Sequence, residues 1–188
     1  MTRATRHTPT FRPLSLNPPE HTMRSVSLTV LVPQRSDTEA FASIADFASY
    51  PSHTADVRSV VVTEAGPSTQ HSTWEVAFRN GLLRWTEEDT LSPANGTITF
   101  KQVAGDIDQF EGSWEVRPTP EGGASVRFDA SVDMGIPTLA DVLEPIASRT
   151  LLDNTLAIIQ GMFGPTVLLV DQVDEAGMPD ALQSIPSL

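Results

Sequence analysis

Residues 137–163 read PTLADVLEPIASRTLLDNTLAIIQGMF, and the reading of this stretch decides the fold. Leu139, Val142, Leu143, Ile146, Ala147, Leu151, Ile158 and Met162 recur at helical spacing, which predicts one long amphipathic helix led by Pro137. Asp141 and Glu144 fall in its early turns, where the helix dipole favours acids, and Arg149 and Asp153 stand four residues apart as a surface ion pair. Gly161 and the Gly164-Pro165 pair are expected to end it. A helix with one apolar stripe must lie against something, and the upstream chain has to supply that surface.

The upstream chain reads as strands. In residues 23–32, Val26, Leu28, Val30 and Val32 alternate with Ser25, Ser27, Thr29 and Leu31, the period of a half-buried strand that Pro33 ends. Ser36 followed by Glu39 forms a capping box and opens a short helix through Phe41, Ile44, Ala45 and Phe47, closed at Tyr50-Pro51. Six more strands are expected over residues 57–64, 72–79, 81–91, 96–103, 109–117 and 124–134, separated by turn residues such as Asn80-Gly81, Gly105-Asp106 and Glu121-Gly122-Gly123. Short turns make consecutive strands antiparallel. The expected class is therefore α+β: a seven-stranded curved antiparallel sheet wrapped around a long C-terminal helix, with two short helices after the first strand. One helix cannot fill the concavity of such a sheet, and the space left over becomes a candidate ligand cavity. Residues 1–22 are expected to form a flexible arm, 23–164 the domain and 165–188 a tail, of which residues 167–170 are apolar enough to pack back.

Composition narrows the function classes. The chain has 188 residues, 39% of them hydrophobic, enough for one core without a staple. It has no cysteine, which removes disulfides, thiol catalysis and cysteine-ligated zinc. Twelve Lys+Arg against 24 Asp+Glu give a formal charge of −12, which argues against nucleic acid as a partner. No apolar run reaches the length of a membrane span and no signal-peptide core precedes the first strand, so a soluble cytoplasmic protein is expected. Phosphate loop, dinucleotide fingerprint, nucleophile elbow and metal-ligand spacing are all missing, so no cofactor and no metal are expected. A homodimer is compatible with the sequence and not demanded by it.

Three segments carry a further signal: Ala45-Asp46-Phe47-Ala48-Ser49-Tyr50-Pro51, Phe100-Lys101-Gln102-Val103-Ala104-Gly105-Asp106 and Phe110-Glu111-Gly112-Ser113-Trp114-Glu115-Val116. In this order of elements the chain resembles the START-like superfamily of helix-grip proteins over roughly residues 24–163, and within it the polyketide cyclase/dehydrase and coenzyme Q-binding branch. The resemblance implies a helix-grip fold holding a small hydrophobic molecule. It implies one of two functions: a cofactor-free cyclase or cyclase/dehydrase acting on a polyketide-like intermediate, as in antibiotic biosynthesis, or a lipid- or quinone-binding carrier without turnover. The arginine and tyrosine that line the pocket of tetracenomycin-type aromatase/cyclases fall here on Asp89 and Val57, so a cyclase of this sequence needs other groups.

The candidate groups follow from strand alternation. Trp85, Glu87 and Asp89 share one face of the fourth strand. Turned into the cavity, the two carboxyls acquire raised pKa values and serve as general acid or base; turned outward, they form a charged rim at a solvated strand end. His53 and Tyr50 follow the short helices near the expected mouth, where His53 is either a proton shuttle or a loop residue. Glu87, Asp89, His53 and Tyr50 are thus the catalytic candidates. Trp74, Trp85, Phe110 and Trp114 offer aromatic walls or core packing, and Asn154 is the helix amide expected to turn inward, so these five are the substrate-binding candidates. Gly112 clears space beside Trp114 for the helix or a ligand.

Overall fold

The structure is a computed structural model that describes residues 23–176. Its first strand, β1 (Arg24–Val32), buries Val26, Leu28, Val30 and Val32, so the alternation in the sequence is the alternation of the fold. Helix α1 (Asp37–Ala45) begins at a complete capping box: the Glu39 N–H donates to Ser36 Oγ at 3.2 Å and the Ser36 N–H to Glu39 Oε2 at 3.0 Å. It buries Ala40, Phe41 and Ile44 and passes into a 3₁₀ turn over Phe47–Ser52. Then come β2 (Val57–Glu64), β3 (Thr69–Phe78), β4 (Gly81–Ser92), β5 (Thr97–Gly105), β6 (Gln109–Pro118) and β7 (Ala124–Asp133). Helix α2 (Ala140–Phe163) follows, and β8 (Leu168–Ala176) ends the described chain.

All strands join one antiparallel sheet in the order β2-β3-β4-β5-β6-β7-β1-β8. The sheet has eight strands where seven were expected. The additional one, β8, comes from the segment read as a tail. Without it β1 would be an edge with unpaired backbone groups, and pairing with β8 satisfies them. Residues 167–170 are four consecutive apolar residues with no alternation, which hid the strand. Residues 1–22, expected as an arm, and residues 177–188 lie outside the described residues.

Helix α2 differs from its expected form at its start. Residues Pro137–Leu139 make a separate 3₁₀ turn, and Leu139 and Val142 are 48% and 58% exposed. Pro145 lies inside the helix and has no N–H for the Asp141 carbonyl, and Leu139 supplies no side-chain cap. The fully buried residues of α2, from Ala147 through Leu152 and Thr155 to Ile159, all lie beyond that proline. The helix therefore grips β1, β7 and β8 through its later turns. The Arg149–Asp153 ion pair forms at 3.1 Å on the exposed side. Gly161 does not end the helix, which runs on to Phe163.

Across the concave face, eight aromatic rings make a continuous chain from Phe47 through Tyr50, Trp74, Trp85, Phe110, Phe100 and Phe128 to Trp114, with centroids 4.6 to 5.9 Å apart. Gly112 sits between the Phe100 ring and the β7 backbone. A Cβ there would lie 2.2 Å from the Asp129 carbonyl oxygen and 2.6 Å from Phe100 Cζ, so the missing side chain makes room for the β7 backbone and the Phe100 ring. Gly112→Val is expected to destabilise the fold by about 3 kcal/mol or more through overpacking. The urea midpoint measures it, and an unchanged midpoint would contradict this packing.

Candidate active site

The site begins with a hairpin. Phe78 pairs with Gly81, so Arg79 and Asn80 form the two-residue loop, with Arg79 at φ +54°. That register sets Trp74 opposite Trp85, Ser72 opposite Glu87 and Gln70 opposite Asp89. The two indoles stack with centroids 5.7 Å apart and planes at 1°. On the other side of β4, a bulge lets Thr86 pair with Ala104 while Glu87 pairs with Gln102, skipping Val103. Gly105, at φ +140°, allows the close approach there, because a Cβ would stand 2.4 Å from Trp85 Cα. Hairpin and bulge together fix which way the carboxyls point.

They point inward. Glu87 is 3% exposed and Asp89 0%, so the outward rim is excluded. Trp85 Nε1 donates to Glu87 Oε2 at 2.8 Å, and Trp74 Nε1 donates to Ser72 Oγ at 2.8 Å. Ser72 Oγ lies 2.7 Å from Asp89 Oδ2 and 3.3 Å from Glu87 Oε1. A serine has one hydroxyl hydrogen, so Ser72 can donate to only one of the two acids at a time, and the shorter contact, to Asp89, is the better placed. Burial, with the charge of Asp89 next, pushes the Glu87 carboxyl up to about 8. Burial also raises Asp89, to about 6, against the opposing hydrogen bonds from Ser72 and Gln70. Both shifts run upward, and the two carboxyls titrate as a coupled pair in which the ionised form of one disfavours that of the other.

The space above Glu87 is a cavity between sheet and helix with two adjoining lobes of about 80 and 60 Å³. The first is bordered by Trp74, Trp85, Glu87, Phe110, Trp114 and Asn154 together with further aromatic and aliphatic residues. The second shares Trp85, Phe110 and Asn154 and extends toward Ile107, Met134 and Ala147. Asn154 thus borders both lobes from the helix side. Thr155 joins it on the wall of the first.

The structure brings most of the candidate residues to one place. Trp74, Trp85, Phe110, Trp114 and Asn154 all border the first lobe, as does Glu87, and Asp89 stands directly behind Glu87. Tyr50 also borders it, but its hydroxyl donates to the Ile44 carbonyl at 2.7 Å, and burial holds its pKa well above the phenol range. Tyr50 is therefore a wall whose proton is tied to the backbone. His53 borders neither lobe and packs instead against Gly161 of α2. Sequence reasoning missed Ser72 and Gln70, which hydrogen-bond the two carboxyls. The alternation Gln70, Ser72, Trp74 on β3 was a usable signal, but matching it to Glu87 and Asp89 needed the hairpin register. Among the described residues no three His, Asp or Glu side chains converge on a metal position.

A family model described as polyketide cyclase/dehydrase and lipid transport matches residues 35–159. Among solved structures, TTHA0849 from Thermus thermophilus is similar at 21% identity and a TM-score of 0.67, covering 73% of this chain and 93% of that one. The Zhui aromatase/cyclase from Streptomyces sp. R1128 is similar at 16% identity and a TM-score of 0.66, covering 76% and 92%. A START superfamily protein from Mycobacterium smegmatis is similar at 19% identity and a TM-score of 0.63, covering 74% and 97%. At these identities the likeness is one of fold. No curated protein matches by sequence.

Proposed function

Because the chain belongs to the polyketide cyclase/dehydrase and lipid transport family, we propose that it is a cofactor-free cyclase or cyclase/dehydrase, with Glu87 as the acid–base group on a polyketide-like substrate. The observation that carries this reading is Glu87 itself: a buried carboxyl, its pKa raised by burial, on the wall of a mainly apolar, aromatic cavity and backed by a second buried carboxyl, Asp89. Ring closure between carbonyl groups needs a proton delivered to one oxygen and removed from a carbon or hydroxyl, and loss of water needs the same group again. A carboxyl whose pKa lies near 8 can do both near neutrality. The aromatic walls hold a flexible chain in a folded conformer, which lowers the entropic cost of closure, and the Asn154 amide faces the same space as a carbonyl ligand. The fold likeness to an aromatase/cyclase supports the same reaction class.

Size sets a condition. Drug-sized ligands occupy roughly 300–1,000 Å³, and lobes of about 80 and 60 Å³ hold only a fragment of such a molecule. A chain long enough to cyclise enters when α2 and the sheet part, and the turns before Pro145 are the part of α2 with the fewest anchors. A second reading, a lipid or quinone carrier, is favoured by the same apolar walls and by the presence of only one carboxyl on them. Incubation with a linear poly-β-carbonyl thioester separates the two. The enzyme releases a cyclised, dehydrated product identified by mass spectrometry. A carrier returns the thioester intact, and that result, at stoichiometric binding, overturns the cyclase reading.

No helix among the described residues is long and apolar enough to cross a membrane. We propose that the protein works in the cytoplasm, with a homodimer as an arrangement compatible with the position of β8 at the end of the sheet among the described residues. Fractionation and size-exclusion measurements test these two points.

A further inference from the structure

We propose that residues 1–22 lie across one end of the cavity as a lid, with Phe11, Leu14 and Leu16 on the apolar start of α2 and the arginines of the segment among the acids beside it. Strand pairing brings this end of the cavity next to the start of β1. Phe78 pairs with Gly81, Trp85 with Gly105, Gln109 with Asp133, and Arg24 with both Val132 and Ala176. The β3–β4 loop, the β5–β6 turn, the loop before α2 and the start of β1 therefore share one end of the sheet. The second lobe reaches that end, since Phe78, Ile107 and Met134 border it. Ile136, Leu139 and Val142 follow Met134 and are exposed, which makes an apolar rim beside the lobe. Acids surround the rim. The Asp108 N–H donates to the Asp133 carbonyl at 3.1 Å, Asp106 lies in the same turn, and Asp141 is in the first turn of α2. Arg24 and Arg84, at the same end, are each held in an ion pair, by Asp174 at 2.5 Å and Glu75 at 2.6 Å, and Arg79 lies in the β3–β4 loop, on the side away from β1.

Charge and reach select the occupant. Residues 1–22 carry Arg3, Arg6 and Arg12 against Glu20, in a chain whose net charge is −12, and Phe11, Leu14 and Leu16 stand around Arg12. A basic segment with apolar side chains matches an apolar rim set among carboxylates. Leu14 lies ten positions before Arg24, an extended reach of about 33 Å. Crossing from β1 over β7 and β6 to β5 takes about 15 Å at the ordinary strand spacing. The segment after β8 leaves from the same end, but residues 177–188 carry Asp180 and no base, so the acids disfavour it. A second copy of the chain would bring the same acids face to face. Exposed ion pairs are individually weak, so the seat depends on the arginines and the apolar contacts acting together. The lid serves either reading of the cavity, catalytic or carrier, because both need a hydrophobic ligand shut away from water.

The chain has no cysteine, so introduced pairs report proximity without background. In the full chain under mild oxidation, Leu14→Cys with Val142→Cys is expected to close an intramolecular disulfide about tenfold or more faster than Leu14→Cys with Glu175→Cys. Glu175 is the stringent control, because it is exposed and pairs with Ser25, nearer to where the segment joins β1. Changing Arg3, Arg6 and Arg12 together to Glu is expected to bring the first rate down to the second, and changing them to Lys to preserve it. Val142 is exposed, and circular dichroism checks that its replacement leaves the fold intact. Trapping no faster at Val142 than at Glu175 overturns the proposal, as does a rate unchanged by the Glu substitutions. Faster trapping of Val142→Cys by Leu182→Cys than by Leu14→Cys assigns the rim to the segment after β8. Disulfide-linked dimers assign it to a second copy, and either of these results overturns the proposal as well.

Discussion

Glu87→Gln is expected to lower kcat on a cyclisable poly-β-carbonyl substrate by about 10²- to 10⁴-fold, the usual contribution of a positioned acid–base group. KM is expected to move far less, because the amide keeps the size of the carboxyl and its oxygen still accepts the Trp85 N–H. The pH dependence supplies a second readout. With the Glu87 carboxyl raised to about 8, an acid-catalysed wild-type rate falls as pH rises through that value, and the variant's residual rate lacks the limb. Circular dichroism and the thermal midpoint establish that the variant is folded. Full activity in a folded Glu87→Gln protein removes this residue from the mechanism and takes the proposed chemistry with it.

The wild-type protein is expected to lose stability as pH rises from about 5 to about 8.5, and Glu87→Gln to lose much less. The sign follows from the direction of the shift. Glu87 binds its proton more tightly in the folded chain than in the unfolded one, so the folded state holds more protons across the interval from the ordinary value of 4.5 to about 8. Stability from such a group is complete below the lower value and is gone above the upper one. Asp89 acts in the same sense between 3.8 and about 6. At up to about 1.4 kcal/mol for each pH unit, the Glu87 contribution alone reaches on the order of 4 kcal/mol, a large share of an ordinary domain's stability. Asp129, held below the carboxylate range by its hydrogen bond from Arg127, works in the opposite sense and loses its contribution as pH falls through its own lowered value. Urea midpoints at pH 5, 7 and 8.5 measure the effect. Equal slopes in wild type and variant would show that the Glu87 carboxyl is not desolvated in the folded protein.

Much of this arrangement is local and was open to reading from the residues. The β1 alternation, the Ser36–Glu39 capping box and the helical spacing over residues 140–163 each depend on neighbours a few positions away and appear where expected, whereas the helix start moved past Pro137–Leu139 and the β3–β4 loop fell on Arg79-Asn80. The shared face of Trp85, Glu87 and Asp89 is equally local, because alternation along one strand needs no partner. The inward sense of that face was open, since a strand of the same text can sit either way up. So was the partner of Glu87. Had Asn80 and Gly81 filled the hairpin loop, Ser72 would have met Asp89 directly across the strands; with Arg79 and Asn80 in the loop it meets Glu87 and bridges both acids.

By itself the amino-acid sequence determined the class of the fold, the order of its elements from β1 to α2, the family likeness and the short list of aromatic and acidic residues from which a site is made. Only the tertiary structure decided that the two carboxyls are buried, that Ser72 joins them, that His53 stands apart and that residues 168–176 add an eighth strand. The reason is physical. Secondary structure answers to contacts within a few residues, whereas the ionisation of a carboxyl answers to what the rest of the chain places between it and water.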